Sequence, residues 1–208
     1  MKIPKSDLEK RIIDITYKHK LTHLNGCLTA VQLIDNIYKI KKEKDLFVLS
    51  SGHVALALFV VLEKKYGFDA EKLQEQHGTH PKRDLKHKIY CSSGSLGQAI
   101  TVAVGMALAN RKRDVYVLTS DGELAEGSCW EALRVAGEQR LENMKILVNA
   151  NGSSGYEKTD VDILDIRLQY FYPTMVSRTH VFKYPEWLQG FAGHYVILDE
   201  AKYKELTK

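Results

Sequence analysis

Val115-Tyr116-Val117-Leu118-Thr119-Ser120-Asp121-Gly122-Glu123 and Ile146-Leu147-Val148-Asn149-Ala150-Asn151-Gly152 decide the fold. Each stretch opens as an apolar, β-branched run without polar alternation and closes on a turn dipeptide, Asp-Gly or Asn-Gly. Strands buried on both faces of a parallel sheet read this way. Between the two runs, residues from about 128 to 141 carry a helical pattern. A strand, turn, helix and second strand of that length bring two adjacent parallel strands to the same edge of a sheet. Asp121 and Asn151, 30 residues apart, then converge on one point. Either dipeptide alone is an ordinary turn. Together they offer oxygen donors on a turn backbone, which suits Mg²⁺ with phosphate oxygens and water as its remaining ligands. The chemistry indicated is a metal-bridged diphosphate.

The same grammar extends outward. Ser6-Asp7-Leu8-Glu9 has capping-box spacing, and Leu8, Ile12, Ile13 and Ile15 follow at helical intervals, predicting a helix from about 6 to 19. A second helix is expected over Leu28 to Lys42, then a short strand at Leu46-Phe47-Val48-Leu49 that ends in Ser50-Ser51-Gly52. A helix from about 53 to 65, a polar stretch with Gly78 and Pro81, and a strand at Ile89-Tyr90-Cys91 before Ser92-Ser93-Gly94 come next. A small-residue helix from about 96 to 110 precedes Val115. Strands linked by helices give an α/β class, a doubly wound and mainly parallel sheet with helices on both faces. Residues 1–208 are read as one domain. In such sheets ligands bind beyond the carboxyl ends of the strands. His53, Gly94, Asp121, Gly122 and residues 149–153 all fall there. The segment from about 153 to 180 has the least readable pattern.

Composition narrows the function classes. Lys and Arg exceed Asp and Glu by 30 to 26, and the excess forms no basic block, so nucleic acid is not indicated. No run of 18 apolar residues is present, so no ordinary membrane-spanning helix is expected. Cys27, Cys91 and Cys129 form no C-x-x-C pair, and the N-terminal residues lack the apolar core of a secretory signal. The expected location is the cytoplasm. A generic nucleotide-binding module would show G-x-x-x-x-G-K-[ST] or G-x-G-x-x-G, and neither occurs.

Asp121-Gly122-Glu123-Leu124-Ala125-Glu126-Gly127, then Trp130-Glu131-Ala132, then Asn149 to Gly152, resembles the thiamine diphosphate signature of the transketolase family. Three further blocks resemble that family in order: Leu49-Ser50-Ser51-Gly52-His53; Gly78-Thr79-His80-Pro81; and Ser93-Gly94-Ser95-Leu96-Gly97-Gln98-Ala99 with Ala103-Val104-Gly105-Met106-Ala107. The resemblance implies thiamine diphosphate and Mg²⁺ as cofactors. It implies transfer of a two-carbon ketol unit from a ketose to an aldose, with carbanion stabilisation supplied by the cofactor. By position, Asp121 and Asn151 bind the metal through side chains and Ser153 through its carbonyl. His53 meets the diphosphate; Gly94, Ser95 and Leu96 pass beside the aminopyrimidine; Gly122, Glu123 and Asn151 belong to the cofactor-binding signature. His80 faces a substrate hydroxyl, and Glu126 is the interface glutamate coupling paired active sites; these two are the expected catalytic residues.

In this family the activating glutamate sits in a pyrimidine-binding domain, for which the 208 residues leave no room. That domain is expected on a partner subunit, in a heterotetramer acting on sugars or sugar phosphates. The alternatives are a non-catalytic paralogue of the same fold, or another thiamine diphosphate-dependent carbon-carbon lyase or ligase. The sequence departs from the family at four places. Ser120 replaces the first glycine of G-D-G. Asn25-Gly26-Cys27 stands at the early G-H block, putting a thiol where the family has a substrate-facing histidine. Residues after Gly155, including Tyr170-Phe171-Tyr172-Pro173, lose family character. The chain ends soon after Phe191 to Asp199, which is similar to a strand late in the family's first domain, and His180 is the candidate to replace a late histidine loop.

Overall fold

In the computed structural model, which describes residues 6–154, 157–179 and 184–207, the two runs quoted first are neighbouring parallel strands. Strands β1 (Leu46–Leu49), β2 (Val115–Ser120), β3 (Met144–Ala150) and β4 (Met175–Arg178) form one parallel sheet in that order. Leu49 pairs with Leu118 and Ser120 with Asn149, so three strands end together at one edge.

Period-two alternation feeds two cores. Phe47, Leu49, Leu118 and Leu147 point to one face, which is covered by α1 (Asp7–His19), α2 (Leu24–Ile40), α3 (Ala55–Tyr66) and α4 (Ala70–His77). Leu46, Val48, Val115, Val117, Ile146 and Val148 point to the other, under α5 (Gln98–Ala109), α6 (Gly127–Glu138) and α7 (Val161–Phe171). The short α8 (Gly190–His194) contacts α2, and α9 (Glu200–Thr207) contacts α1. Helices on both faces explain the unbroken apolar strands. Among the described residues no helix is long and apolar enough to cross a membrane.

Local rules account for many boundaries. Ser6 and Glu9 cap α1 reciprocally, the Glu9 amide donating to Ser6 Oγ (3.3 Å) and the Ser6 amide to Glu9 Oε2 (2.8 Å). Ala99, Ala103 and Ala107 recur one turn apart on the buried side of α5, so its backbone approaches the sheet closely. Helix α2 starts at Leu24 rather than Leu28, because Asn25, Gly26 and Cys27 are buried and packing overrides their weak helix propensity.

Several expectations are corrected. Part of the polar stretch is α4, capped by Asp69, whose carboxylate accepts from the amides of Glu71 (3.0 Å) and Lys72 (3.1 Å). Ile89-Tyr90-Cys91 is no strand of the sheet; Ile89 forms one antiparallel bridge with Asp84. Only Ile89 of the three is fully buried, too little apolar surface to claim a place in a sheet covered on both faces. Residues 195–199 are not a strand either, since Tyr195 and Ile197 face solvent and only Leu198 enters the core. The poorly patterned segment contains α7, capped by Asp160, and β4.

Candidate active site

The carboxyl ends of β1, β2 and β3 open onto a cleft of about 650 Å³. Asp121, the first residue after β2, is 3% exposed. Its Oδ1 accepts from the Gly122 amide (3.1 Å) and its Oδ2 from the Gly152 amide (2.7 Å), so the turn after β2 is tied to the turn after β3. Gly152 holds φ +79°, and Asn151 Oδ1 accepts the Ser153 amide at 3.0 Å. The Cα of Ser154 is 3.1 Å from where a Gly122 Cβ would stand, so a side chain at Gly122 would push the two turns apart. The turns that carry Asp121 and Asn151 are therefore joined at one edge of the sheet.

Among the described residues no lysine or arginine lines this cleft. Burial pushes the Asp121 carboxyl up to about 6, although the amides of Gly152 and Gly122 pull the other way. A buried carboxylate without a cation, on a turn tied to the one that carries the Asn151 amide oxygen, is the kind of oxygen donor that suits a hard divalent ion. The residues present fit Mg²⁺, which Asp121 and Asn151 would hold there.

Glu123 is the hub of the floor. It is completely buried, and it accepts from Ser50 Oγ (2.7 Å), Ser51 Oγ (3.0 Å), Thr119 Oγ1 (2.7 Å) and the Gly97 amide (2.9 Å). One carboxylate thus joins the turns after β1 and β2 to the start of α5. Ser120 fits without strain: the turn needs no positive φ there, and its hydroxyl accepts the Glu123 amide (3.1 Å).

Histidines form the opposite wall. The ring of His23 lies 5.6 Å from that of His53 and 4.3 Å from that of His194, and His53 lies 5.7 Å from His194. Burial lowers His23 to about 4 and His53 to about 3, with the other imidazoles adding to the effect, and burial lowers His194 too. All three are neutral near pH 7. Sequence reasoning misses His23 and His194; a lone histidine at a helix start and another in an irregular C-terminal segment carry no periodic signal. Their position corrects the early G-H assignment. Cys27 lies in the core between α2 and α3, its thiol pushed up to about 12 by burial, and His23 supplies the imidazole at the cleft.

Residues 35–171 match the family described as Transketolase, thiamine diphosphate binding domain. The chain belongs to this family. It is 34% identical over 163 residues to one subunit of the apulose-4-phosphate transketolase of Phocaeicola vulgatus, covering 68% of this chain and 57% of that one. It is 33% identical over 149 residues to a 6-deoxy-6-sulfo-D-fructose transketolase subunit of a Clostridium species, covering 62% of this chain and 54% of that one. It thus spans little more than half the length of these relatives. A transketolase structure from Pichia stipitis superposes with a TM-score of 0.73 over 97% of this chain and 40% of that one, at 21% identity, which shows the shared fold.

The remaining residues of the transketolase pattern spread around the rim. Gly94 and Leu96 line the cleft, with exposed Ser95 between them. His80 is exposed and stacks over Gly94, where a Cβ would meet the ring at 2.9 to 3.0 Å. Ser93 Oγ is buried nearby without a hydrogen-bond partner among the described residues. Glu126, expected to be buried at an interface, is exposed on the single chain and lies at the cleft just before α6. His180 lies outside the described residues.

Two predictions arise here. Gly94 holds φ +148°, so Gly94→Ala strains the backbone and displaces His80. Thiamine diphosphate affinity should fall about tenfold while far-UV circular dichroism stays unchanged, the backbone strain being of order 1–3 kcal/mol. Unchanged affinity would show that Gly94 is not needed at the cofactor. The second concerns pH. His23 and His53 have folded values below the ordinary 6.5, so between about 4 and 6.5 the unfolded chain binds more protons and stability rises with pH. Asp121 acts oppositely between 3.8 and about 6, where the folded state holds the extra proton. Two imidazoles outweigh one carboxyl, so thermal stability should fall on acidification below about pH 6.5, the ordinary imidazole value. His53→Phe should flatten the slope; an equal slope in the variant would refute the assignment.

Proposed function

We propose that this chain is the diphosphate-binding subunit of a thiamine diphosphate- and Mg²⁺-dependent transketolase-like enzyme. The enzyme transfers a two-carbon ketol unit from a ketose to an aldose. The observation that carries the reading is the tie from Asp121 to the Gly152 amide, which sets two oxygen-donor turns at one edge of a cleft without cationic side chains among the described residues. In that cleft Asp121, Asn151 and the Ser153 carbonyl hold Mg²⁺, and His53 meets the diphosphate. Gly94, Ser95 and Leu96 border the aminopyrimidine, while Gly122 and Glu123 shape the floor beneath it. His80 donates to a substrate hydroxyl, and exposed Glu126 meets a partner across an interface. The cofactor, when bound, supplies carbanion stabilisation.

A partner chain supplies the pyrimidine-binding domain and the activating glutamate, and the assembly is a heterotetramer in the cytoplasm. Support comes from the relatives in Phocaeicola vulgatus and Clostridium, both of which are named as single subunits of transketolases. Sugars or sugar phosphates are the substrates; the cleft wall described on this chain has no Lys or Arg for a phosphate, so an anionic end is held by the partner. Titration of the chain with thiamine diphosphate, with and without Mg²⁺ and with and without the partner, tests this. Saturable metal-dependent binding and ketol transfer by the mixture are expected. Absence of cofactor binding in both would refute it.

A further inference from the structure

His80 stands at the rim of the cleft on a segment with little apolar anchoring: of residues 78–93 only Pro81 and Ile89 are buried. Polar ties hold the segment instead. His77, the last residue of α4, is 7% exposed, and its ring lies 5.6 Å from that of Phe59 on α3. Its Nδ1 accepts the Lys82 amide at 3.3 Å, which closes residues 77–82 into a loop with His80 inside it. Gly78 leaves the helix at φ +73°, and Pro81 confines the residue before it, His80, to extended backbone. The Pro81 carbonyl then accepts the Ser93 amide (3.1 Å), next to the Gly94 over which His80 stacks.

An Nδ1 that accepts an amide places the ring proton on Nε2. That Nε2 is buried, has no hydrogen-bond partner among the described residues, and faces Asp84 Oδ2 from 3.6 Å. The Asp84 carboxylate is itself fixed, accepting from His87 Nδ1 (2.6 Å), Gln76 Nε2 (3.2 Å) and the Lys86 amide (3.1 Å). Burial lowers the His77 pKa, Asp84 opposes the shift, and His87 and Lys82 add to it, so the ring is neutral near pH 7 with its lone pair on Nδ1. We propose that His77 is a positioning residue, whose Nδ1 holds the Lys82 amide and so fixes His80 at the cleft. A misplacement of about 1 Å at a group that meets substrate can cost about 100-fold in rate. The tie itself stands on this chain alone; its effect on turnover rests on the transketolase reading and deepens it.

Long-range proton-nitrogen spectra of the full chain should show His77 as the Nε2-H tautomer; the opposite tautomer overturns the proposal. Amide hydrogen exchange should find Lys82 protected in wild type and at least about tenfold less protected in His77→Phe, the scale of one lost hydrogen bond. His77→Asn, whose Oδ1 stands where Nδ1 stood, should restore protection, whereas His77→Gln, polar only at the Nε2 place, should behave as His77→Phe and replaces it if that variant does not fold. With the partner, thiamine diphosphate, Mg²⁺, D-xylulose and glycolaldehyde, His77→Phe should lower kcat/KM about tenfold and His77→Asn should recover most of it. In a His80→Ala background the same change should cost less than about twofold, since the group being positioned is gone. Equal losses in both backgrounds, or a Lys82 amide still protected in His77→Phe and His77→Gln, overturn the proposal. A mixture that binds no cofactor refutes the transketolase reading instead, and exchange and tautomer then decide the proposal by themselves.

Discussion

Asp121→Ala should abolish Mg²⁺-dependent binding of thiamine diphosphate, raising the Kd at least about 100-fold, because even residues that only support a metal ligand are worth about 10–100-fold. Asp121→Asn sharpens the expectation by separating binding from stability. The folded carboxyl stands at about 6 against an ordinary 3.8, so the folded state binds more protons in that window. Stability without metal therefore falls as pH rises from 3.8 to about 6, and the full burden is present above it. At about 1.4 kcal/mol per unit the burden reaches about 3 kcal/mol as an upper figure. An uncharged amide relieves part of it, although its NH₂ must face one of the two backbone amides that now donate to the carboxylate. The metal-free Asn variant should thus be no less stable than wild type at pH 7.5 by urea denaturation. Wild type should gain about 2.7 kcal/mol at a cofactor concentration of 100 Kd, and the variant nothing. A variant still stabilised by thiamine diphosphate and Mg²⁺ would show that Asp121 is not the metal anchor.

Strands β1, β2 and the apolar part of β3 were legible because they are buried on both faces, which forces continuous runs such as Val115 to Leu118, whereas the largely exposed β4 carries no such run. Ile89-Tyr90-Cys91 shows the limit of that signal. Three apolar residues satisfy the local pattern, but Asp84 and Ile89 pair with each other and close a surface loop instead. Helix α4 was hidden for the opposite reason. Its buried side consists of Ala70, Leu73, Gln74 and His77, two of them polar, so the stripe that docks on α3 does not look apolar.

At the site, what sequence spacing conveyed was the side built from β2 and β3, where a strand and a turn determine position together. The histidine wall follows a different rule. His23 and His194 are 171 positions apart and meet only because α8 packs on α2, a tertiary contact without a local sequence correlate. Cys27 illustrates the resulting error: it lies one helical turn beyond His23, and alignment of short blocks cannot tell which of the two faces the cleft.

Glu123 should be the residue whose loss costs the fold most. Ordinary surface carboxylates contribute little, but this one is fully buried and collects four donors from three segments, and a donor left unpaired in the interior costs about 1–3 kcal/mol. Ser50, Ser51 and Thr119 can rotate their hydroxyls toward other acceptors, whereas the Gly97 amide is fixed at φ +79° and cannot turn. Glu123→Ala should therefore destabilise by at least about 3 kcal/mol, one fixed orphan donor plus an emptied volume in the floor. Glu123→Gln keeps the shape and one acceptor oxygen but aims its NH₂ at donors, so an intermediate loss is expected. Urea denaturation measures both. The two variants also discriminate between roles: if Glu123 organises the floor, cofactor affinity in Glu123→Gln should track the loss of stability and recover as temperature is lowered. If instead the carboxylate meets the cofactor directly, affinity falls while the denaturation midpoint stays within experimental error of wild type.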